Sequence, residues 1–322
     1  MNGCRTALLL AASLLTVVAC GSEEGDSQEG GGGTGNVGGS GGEGGVLDPL
    51  PPPEVGMQLQ STPYTLAPGA EEYQCWSFQI PEDEPLAVVG LEQQAPPNGV
   101  HHFAVFTNTQ PYEEAGPWEC ETMGISWGLV SGGGVGTPGV SFPEGTAMTL
   151  EGGKHVILQL HIINAGADPL EIQPTYVNLL GSNATDLQKV GLLIAGTLDI
   201  DIPAQSTGVD ATGGCTIDEP MQNIFAVFPH MHQLGRRTTV DLTPADGSAK
   251  QTLSDQTWDF KDQGLYPIEG SAVVGDRIDV TCQYDNSSDA NVEFGLSSSD
   301  EMCVNVLYYY PATTPSKYCG LN

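Results

Sequence analysis

The sequence predicts an all-β protein built as two β-sandwich domains in tandem. Apolar runs are short, and 43 Gly and 23 Pro among 322 residues interrupt them at intervals of about ten positions. No long stretch repeats at the helical period. The length suffices for two domains of ordinary size, so the core is not limiting.

Seven runs read as strands, each rich in β-branched or aromatic residues and bounded by turn formers. Tyr73–Ile80 stops at Pro81, and Leu86–Leu91 follows Pro85. Val100–Thr107 follows the turn signal Pro-Pro-Asn-Gly. In Val156–Ile163, residues Val156, Leu158, Leu160 and Ile162 share one face, the core face. His155, Ile157, Gln159 and His161 share the other. Asn223–Phe228 ends at Pro229, Arg277–Tyr284 follows Gly275, and Met302–Tyr310 runs to Pro311. The domain junction falls between Gly181 and Gln188, giving an N-terminal domain over 55–184 and a C-terminal domain over 185–322.

Residues 1–20 read as a lipoprotein signal, with one Arg, an apolar run from Ala7 to Ala19 and Cys20 as the lipidated residue. The run is too short for a spanning helix. An ordinary secretory signal cut near Ala19 is the alternative, and both readings export the chain. Residues 21–54 read as a tether: Gly, Ser and Glu dominate up to Gly45, then Pro enriches Leu47–Pro53. The flexible part has a reach of roughly 25 to 30 Å. The expected location is the cell envelope, on the outer membrane or facing the periplasm, with the membrane met through lipid on Cys20.

A net charge of −31 argues against nucleic acid or an anionic lipid face as the partner. It is chiefly a statement about solubility, although an acidic surface also concentrates cationic amines or copper ions. Of eight cysteines, Cys4 and Cys20 fall in the leader. The remaining six suit disulfides in an oxidising compartment and can pair in fifteen ways. If each half closes its own bridges, Cys75 joins Cys120, and Cys215, Cys282, Cys303 and Cys319 keep three arrangements.

The chemistry lies in the histidines and one methionine. VHHFAVF carries His101 and His102, LQLHI carries His161, FPHMHQLG carries His230 and His232, and EMC carries Met302. Two imidazoles with a soft thioether favour Cu(I), whereas zinc sites use Cys, His and carboxylate. His230 and His232, two apart, fall on one face of a strand, with Pro229 putting the motif at a strand start or an edge. His101 and His102 point to opposite faces of a regular strand, so they share one ion only where the backbone bulges. His155 is roughly 20 Å along the strand from His161 and reads as a structural or solvent histidine. Gln159 is a candidate to support the first metal.

From about Gln58 to Cys319, the order of these motifs and the cysteine placement resemble the type II copper, ascorbate-dependent monooxygenases, the family of peptidylglycine α-hydroxylating and dopamine β-monooxygenases. The resemblance implies jelly-roll-like sandwiches with two coppers facing across an open cleft. His101, His102 and His161 would hold the copper that delivers an electron. His230, His232 and Met302 would hold the oxygen-binding copper beside the substrate and form the catalytic set. It also implies Cys215–Cys319 and Cys282–Cys303 beside Cys75–Cys120, a supporting role for Tyr73, and hydroxylation of a small organic substrate with O2 and ascorbate or a similar donor. Where the peptidylglycine branch has Arg, Asn and Tyr for its substrate, this chain has Phe228, Val304 and Val306, which argues against that substrate. As core residues these three would say nothing about substrate. Two other classes remain open: a copper-binding module that scavenges or senses the metal without turnover, and a structural protein on a relic fold.

Overall fold

The structure is a computed structural model. It describes residues 48–108, 116–120, 127–136 and 139–321, so the leader, Cys20 and most of the tether lie outside the described residues.

The described residues form strands, turns and irregular segments without a helix, in two β-sandwich bodies. All seven expected strands are present, most extended by one to three residues, such as Glu71–Gln79, Leu86–Gln94 and Met221–His230. In the first body a five-stranded sheet runs Trp118–Glu119, Glu71–Gln79, His155–Ile163, Val100–Asn108, Trp127–Gly134. A sheet containing Gly56–Gln60, Tyr176–Gly181, Leu86–Gln94 and Thr146–Leu150 packs against it. Val156, Leu158, Leu160 and Ile162 join Leu59, Val88, Leu91 and Leu179 in the core between them, as the alternation predicts. The opposite face of His155–Ile163 is covered too, because Ile157 packs with Phe106, Trp127 and the Cys75 sulfur.

The second body pairs two sheets. One runs Tyr266–Ala272, Met221–His230, Cys303–Tyr310, Gly191–Thr197, Ser316–Cys319. The other runs Ser206–Thr216, Arg277–Asn286, Gly235–Thr243, Gln251–Thr257. The first of these sheets is buried on both faces. Leu193, Val227, Leu307 and Tyr309 face their own sandwich, while Leu192, Phe228, Val306 and Tyr308 join the core of the first body. That is why its strands read as nearly continuous apolar runs. Phe142 and Phe225 meet Tyr308 with ring centroids 6.2 and 6.0 Å away, and Ser131 Oγ lies 3.2 Å from the Tyr308 hydroxyl.

Three disulfides form: Cys75–Cys120, Cys215–Cys319 and Cys282–Cys303. Such bridges persist in oxidising, extracytoplasmic compartments. At the start of the fold the carbonyls of Asp48, Leu50 and Pro51 accept hydrogen bonds from Gln94, Gln58 and Asn178, so this Pro-rich stretch lies along the first body.

Candidate metal centre

His161 and His102 are cross-strand partners on adjacent strands, and Tyr73 is the partner of His161 on its other side. Their side chains therefore share one face at one end of the five-stranded sheet. His101 joins them through a bulge. The register passes from His161 opposite His102 to Ile162 opposite Val100, leaving His101 as the extra residue. A bulged residue is re-aimed relative to a regular pleat, which is what two adjacent histidines need to reach one ion. One nitrogen from each of His101, His102 and His161 lies within 4.8 Å of the others. His101 Nδ1 and His102 Nδ1 are 3.1 Å apart. Two nitrogens about 2.0 Å from a shared metal, at angles between square and tetrahedral, stand roughly 2.8 to 3.3 Å apart, so the separation fits.

The remaining ring atoms are held. His101 Nε2 lies 2.9 Å from the Phe260 carbonyl. His161 Nε2 is 2.8 Å from Glu71 Oε1, its ring stacks on Tyr73 at 4.4 Å and 7°, and its Nδ1 is buried without a hydrogen-bond partner. The Tyr73 hydroxyl donates to the Leu296 carbonyl at 3.0 Å, and burial pushes its pKa up.

The second set stands where the strand Met221–His230 ends. His230 is its last residue and His232 lies just beyond it, so of the two placements expected for the HMH motif, a strand start or an edge, the start is not the one adopted. The strand Tyr266–Ala272 accompanies its neighbour only to Val227, leaving Pro229 with a paired strand on one side alone. The rings of His230 and His232 are 5.3 Å apart and nearly perpendicular at 88°. His230 Nδ1 meets Gln263 Oε1 at 3.0 Å, and His232 Nδ1 meets the Asp300 carbonyl at 3.1 Å. His232 is fully buried and its Nε2 has no partner. Met302 is half-buried immediately before the strand Cys303–Tyr310, where the Cys282–Cys303 bridge, a bond from the Tyr284 hydroxyl to its carbonyl and a bond from its N–H to Glu301 fix its backbone.

The two histidine sets touch. The His102 and His230 ring centroids are 5.0 Å apart, and the His101 ring stacks on Phe260 of the second body at 3.9 Å. The open cleft expected between them is closed, because the 260–263 and 296–298 segments of the second body bond to His101, Tyr73 and Glu71. Gly134 permits the approach. A Cβ there would stand 3.0 Å from Gln263 Cβ, and its N–H bonds the Gln263 carbonyl at 3.3 Å.

Burial holds four of these imidazoles neutral. It lowers His101 to about 4 and His230 to about 3, with the neighbouring imidazoles adding to the effect, and it brings His102 and His232 down as well. A neutral ring keeps a lone pair for a metal. Two buried nitrogens without partners, His161 Nδ1 and His232 Nε2, would each cost about 1–3 kcal/mol if nothing met them. Their presence in one set of three imidazoles and one of two suits a metal that imidazole binds, copper among them.

Three supporting residues escape sequence reasoning: Glu71, which bonds His161 and, across the bodies, Ser298; Gln263, which bonds His230; and Glu301, described below. Gln159 instead turns to the disulfide, with Nε2 3.7 Å from Cys120 Sγ. His155 bonds Ser77 Oγ at 2.8 Å, apart from the cluster.

Residues 188–322 match the family model described as copper type II ascorbate-dependent monooxygenase, C-terminal domain. Over that stretch the chain is similar to these copper monooxygenases. It is 25% identical over 259 residues to peptidyl-glycine alpha-amidating monooxygenase A of Xenopus laevis, covering 77% of this chain and 27% of that one. It is 25% identical over 308 residues to dopamine beta-hydroxylase of Equus caballus, covering 83% of this chain and 49% of that one. A DBH-like monooxygenase protein 1 of Mus musculus is also 25% identical, with 74% of this chain and 44% of that one covered. The chain thus spans between about a quarter and a half of these relatives' length. The family of that model is described as copper-containing and ascorbate-dependent, and the cluster of His101, His102 and His161 suggests a copper site in this chain.

Proposed function

We propose that this chain is an exported two-copper monooxygenase that inserts one oxygen atom of O2 into a C–H bond of a small organic molecule, with electrons from ascorbate or a similar donor. In this reading His101, His102 and His161 hold one copper, and His230, His232 and Met302 hold the catalytic copper. The observation that carries it is the pair of histidine sets in contact, each containing a buried nitrogen without a hydrogen-bond partner among the described residues. Copper bound there supplies the one-electron redox and oxygen chemistry that side chains lack.

The chain's own residues prepare both sets. Glu71 takes the Nε2 side of His161 and so directs Nδ1 inward. Gln263 and the Asp300 carbonyl take the Nδ1 sides of His230 and His232 and leave Nε2 for a metal. Burial keeps the rings of His101, His102, His230 and His232 unprotonated near neutral pH, so none of these four must lose a proton before a metal enters.

The substrate in this reading is a small organic molecule other than a peptidylglycine. Val304 is the cross-strand partner of His230, and Phe228 faces Val306 one step along the same face. None of the three offers a partner for a peptide carboxylate. We also assign Cys20 as a lipid anchor that holds the head at the cell envelope.

One observation favours a copper-binding module without turnover. Phe228 and Val306 are buried in the core between the bodies, 7% and 4% exposed, and so do not line a cleft. Oxygen electrode traces on the copper-loaded chain with ascorbate separate the two. Uptake that rises with an aromatic amine or apolar substrate, with hydroxylated product in equal amount, supports the enzyme. Copper release to a competing chelator with no substrate-dependent uptake supports the module.

A further inference from the structure

We infer that Glu301 is a positioning residue that sets the spacing between His232 and Met302. The inference rests on the reading of His230, His232 and Met302 as one copper site. These residues come from two segments about seventy positions apart, and ladder pairing ends at His230 opposite Val304. Neither His232 nor Met302 is therefore held by the sheet. Glu301 replaces the ladder. Its Oε2 accepts the backbone N–H of His232 at 2.9 Å and that of Met302 at 3.2 Å, and Oε1 accepts the N–H of Leu234 at 2.6 Å. A single oxygen thus joins the backbones of two ligands.

The carboxylate is fully buried, a costly placement unless its lone pairs are met, and here backbone N–H groups meet them. His232 is fixed at three points: its N–H by Glu301, its carbonyl by Trp258 Nε1 at 2.9 Å, and its Nδ1 by the Asp300 carbonyl. Only Nε2 remains without a partner. The Asp300 carbonyl and the Glu301 carboxylate come from consecutive residues directly before Met302, so one short segment positions both the imidazole and the thioether-bearing residue.

Glu301→Ala tests this, because it removes the acceptor of all three N–H groups, whereas a carboxamide could keep its oxygen on the His232 and Met302 pair. The copper-depleted whole chain is titrated with Cu(I), and X-ray absorption at the copper edge reports sulfur ligation. The wild type is expected to show a sulfur neighbour, and Glu301→Ala to lose it with Cu(I) affinity at that site 10–100-fold weaker while the three-histidine site keeps its affinity. A variant that melts earlier yet keeps the sulfur signal and affinity makes Glu301 merely structural and overturns the inference. A wild type without sulfur ligation removes the two-copper reading itself, a different result. If Glu301→Ala does not fold, the wild type decides by amide exchange with Ag(I) as the probe. Joint slowing of the His232 and Met302 amides by at least tenfold supports the inference, and unchanged exchange overturns it.

Discussion

Glu71→Ala perturbs the first metal set and the junction between the bodies together. Glu71 Oε1 is 2.8 Å from His161 Nε2 and accepts the Ser298 N–H at 2.9 Å, while Oε2 accepts the Ser298 hydroxyl at 3.0 Å. Hydrogen bonds to a charged group contribute about 1.5–3 kcal/mol when protected. The Glu71 side chain is 27% exposed, so water takes up part of each loss, and screening brings the total to about 2–4 kcal/mol. For a chain of this size that is a fall of roughly 4–7 °C in the melting temperature of the metal-free protein. Copper affinity at the three-histidine set should fall 10–100-fold, because the ring of His161 loses the partner that orients it. Calorimetry and copper titration read the two effects. A double-mutant cycle with Ser298→Ala should give a coupling above about 0.5 kcal/mol. A melting temperature within a degree of wild type, with unchanged affinity, would refute the reasoning.

Acid should destabilise the metal-free chain. The folded pKa values of His101, His102, His230 and His232 lie below their ordinary value, so the unfolded chain binds more protons. Their contribution is fully present above pH of about 6.5 and is lost as pH falls toward 4 and 3. Glu301 acts oppositely: burial raises it to about 7, and its contribution is lost as pH rises through that value. Four histidines outweigh one carboxylate, so the melting temperature should drop between pH 6.5 and 5, and a flat profile there would count against buried neutral rings. Replacing both Cys282 and Cys303 by Ser, which opens a loop with a sequence separation of 21, should cost about 3 kcal/mol in a denaturant melt. Gly134→Val would put a side chain against Gln263 and should cost about 1–3 kcal/mol, with copper affinity at the His230 set weakened; an unchanged unfolding midpoint would show that the bodies do not rely on this approach.

Much of the fold was legible because alternation carries it. Val156, Leu158, Leu160 and Ile162 announce a core face, and the structure buries all four. The bulge at His101 was legible as a condition that adjacent ligands impose, before its register was known. Strands with many glycines were not. Ser206–Thr216 and Trp127–Gly134 have few side chains to pattern, and their neighbours in the sheet define them. Closure of the cleft was illegible for a related reason, since it depends on backbone carbonyls such as those of Phe260 and Leu296. Glu71 stands 90 positions from His161 and Gln263 stands 33 from His230, so no local pattern joins them. Glu301 did have a local signal, its place beside Met302.

Copper content of the purified whole chain, wild type against Met302→Ala, tests the central claim most directly when ascorbate-dependent O2 uptake is recorded on the same samples. The account predicts two coppers per wild-type chain, and in Met302→Ala an intact three-histidine copper with uptake abolished. One copper or none in the wild type, or uptake indifferent to Met302, would contradict it.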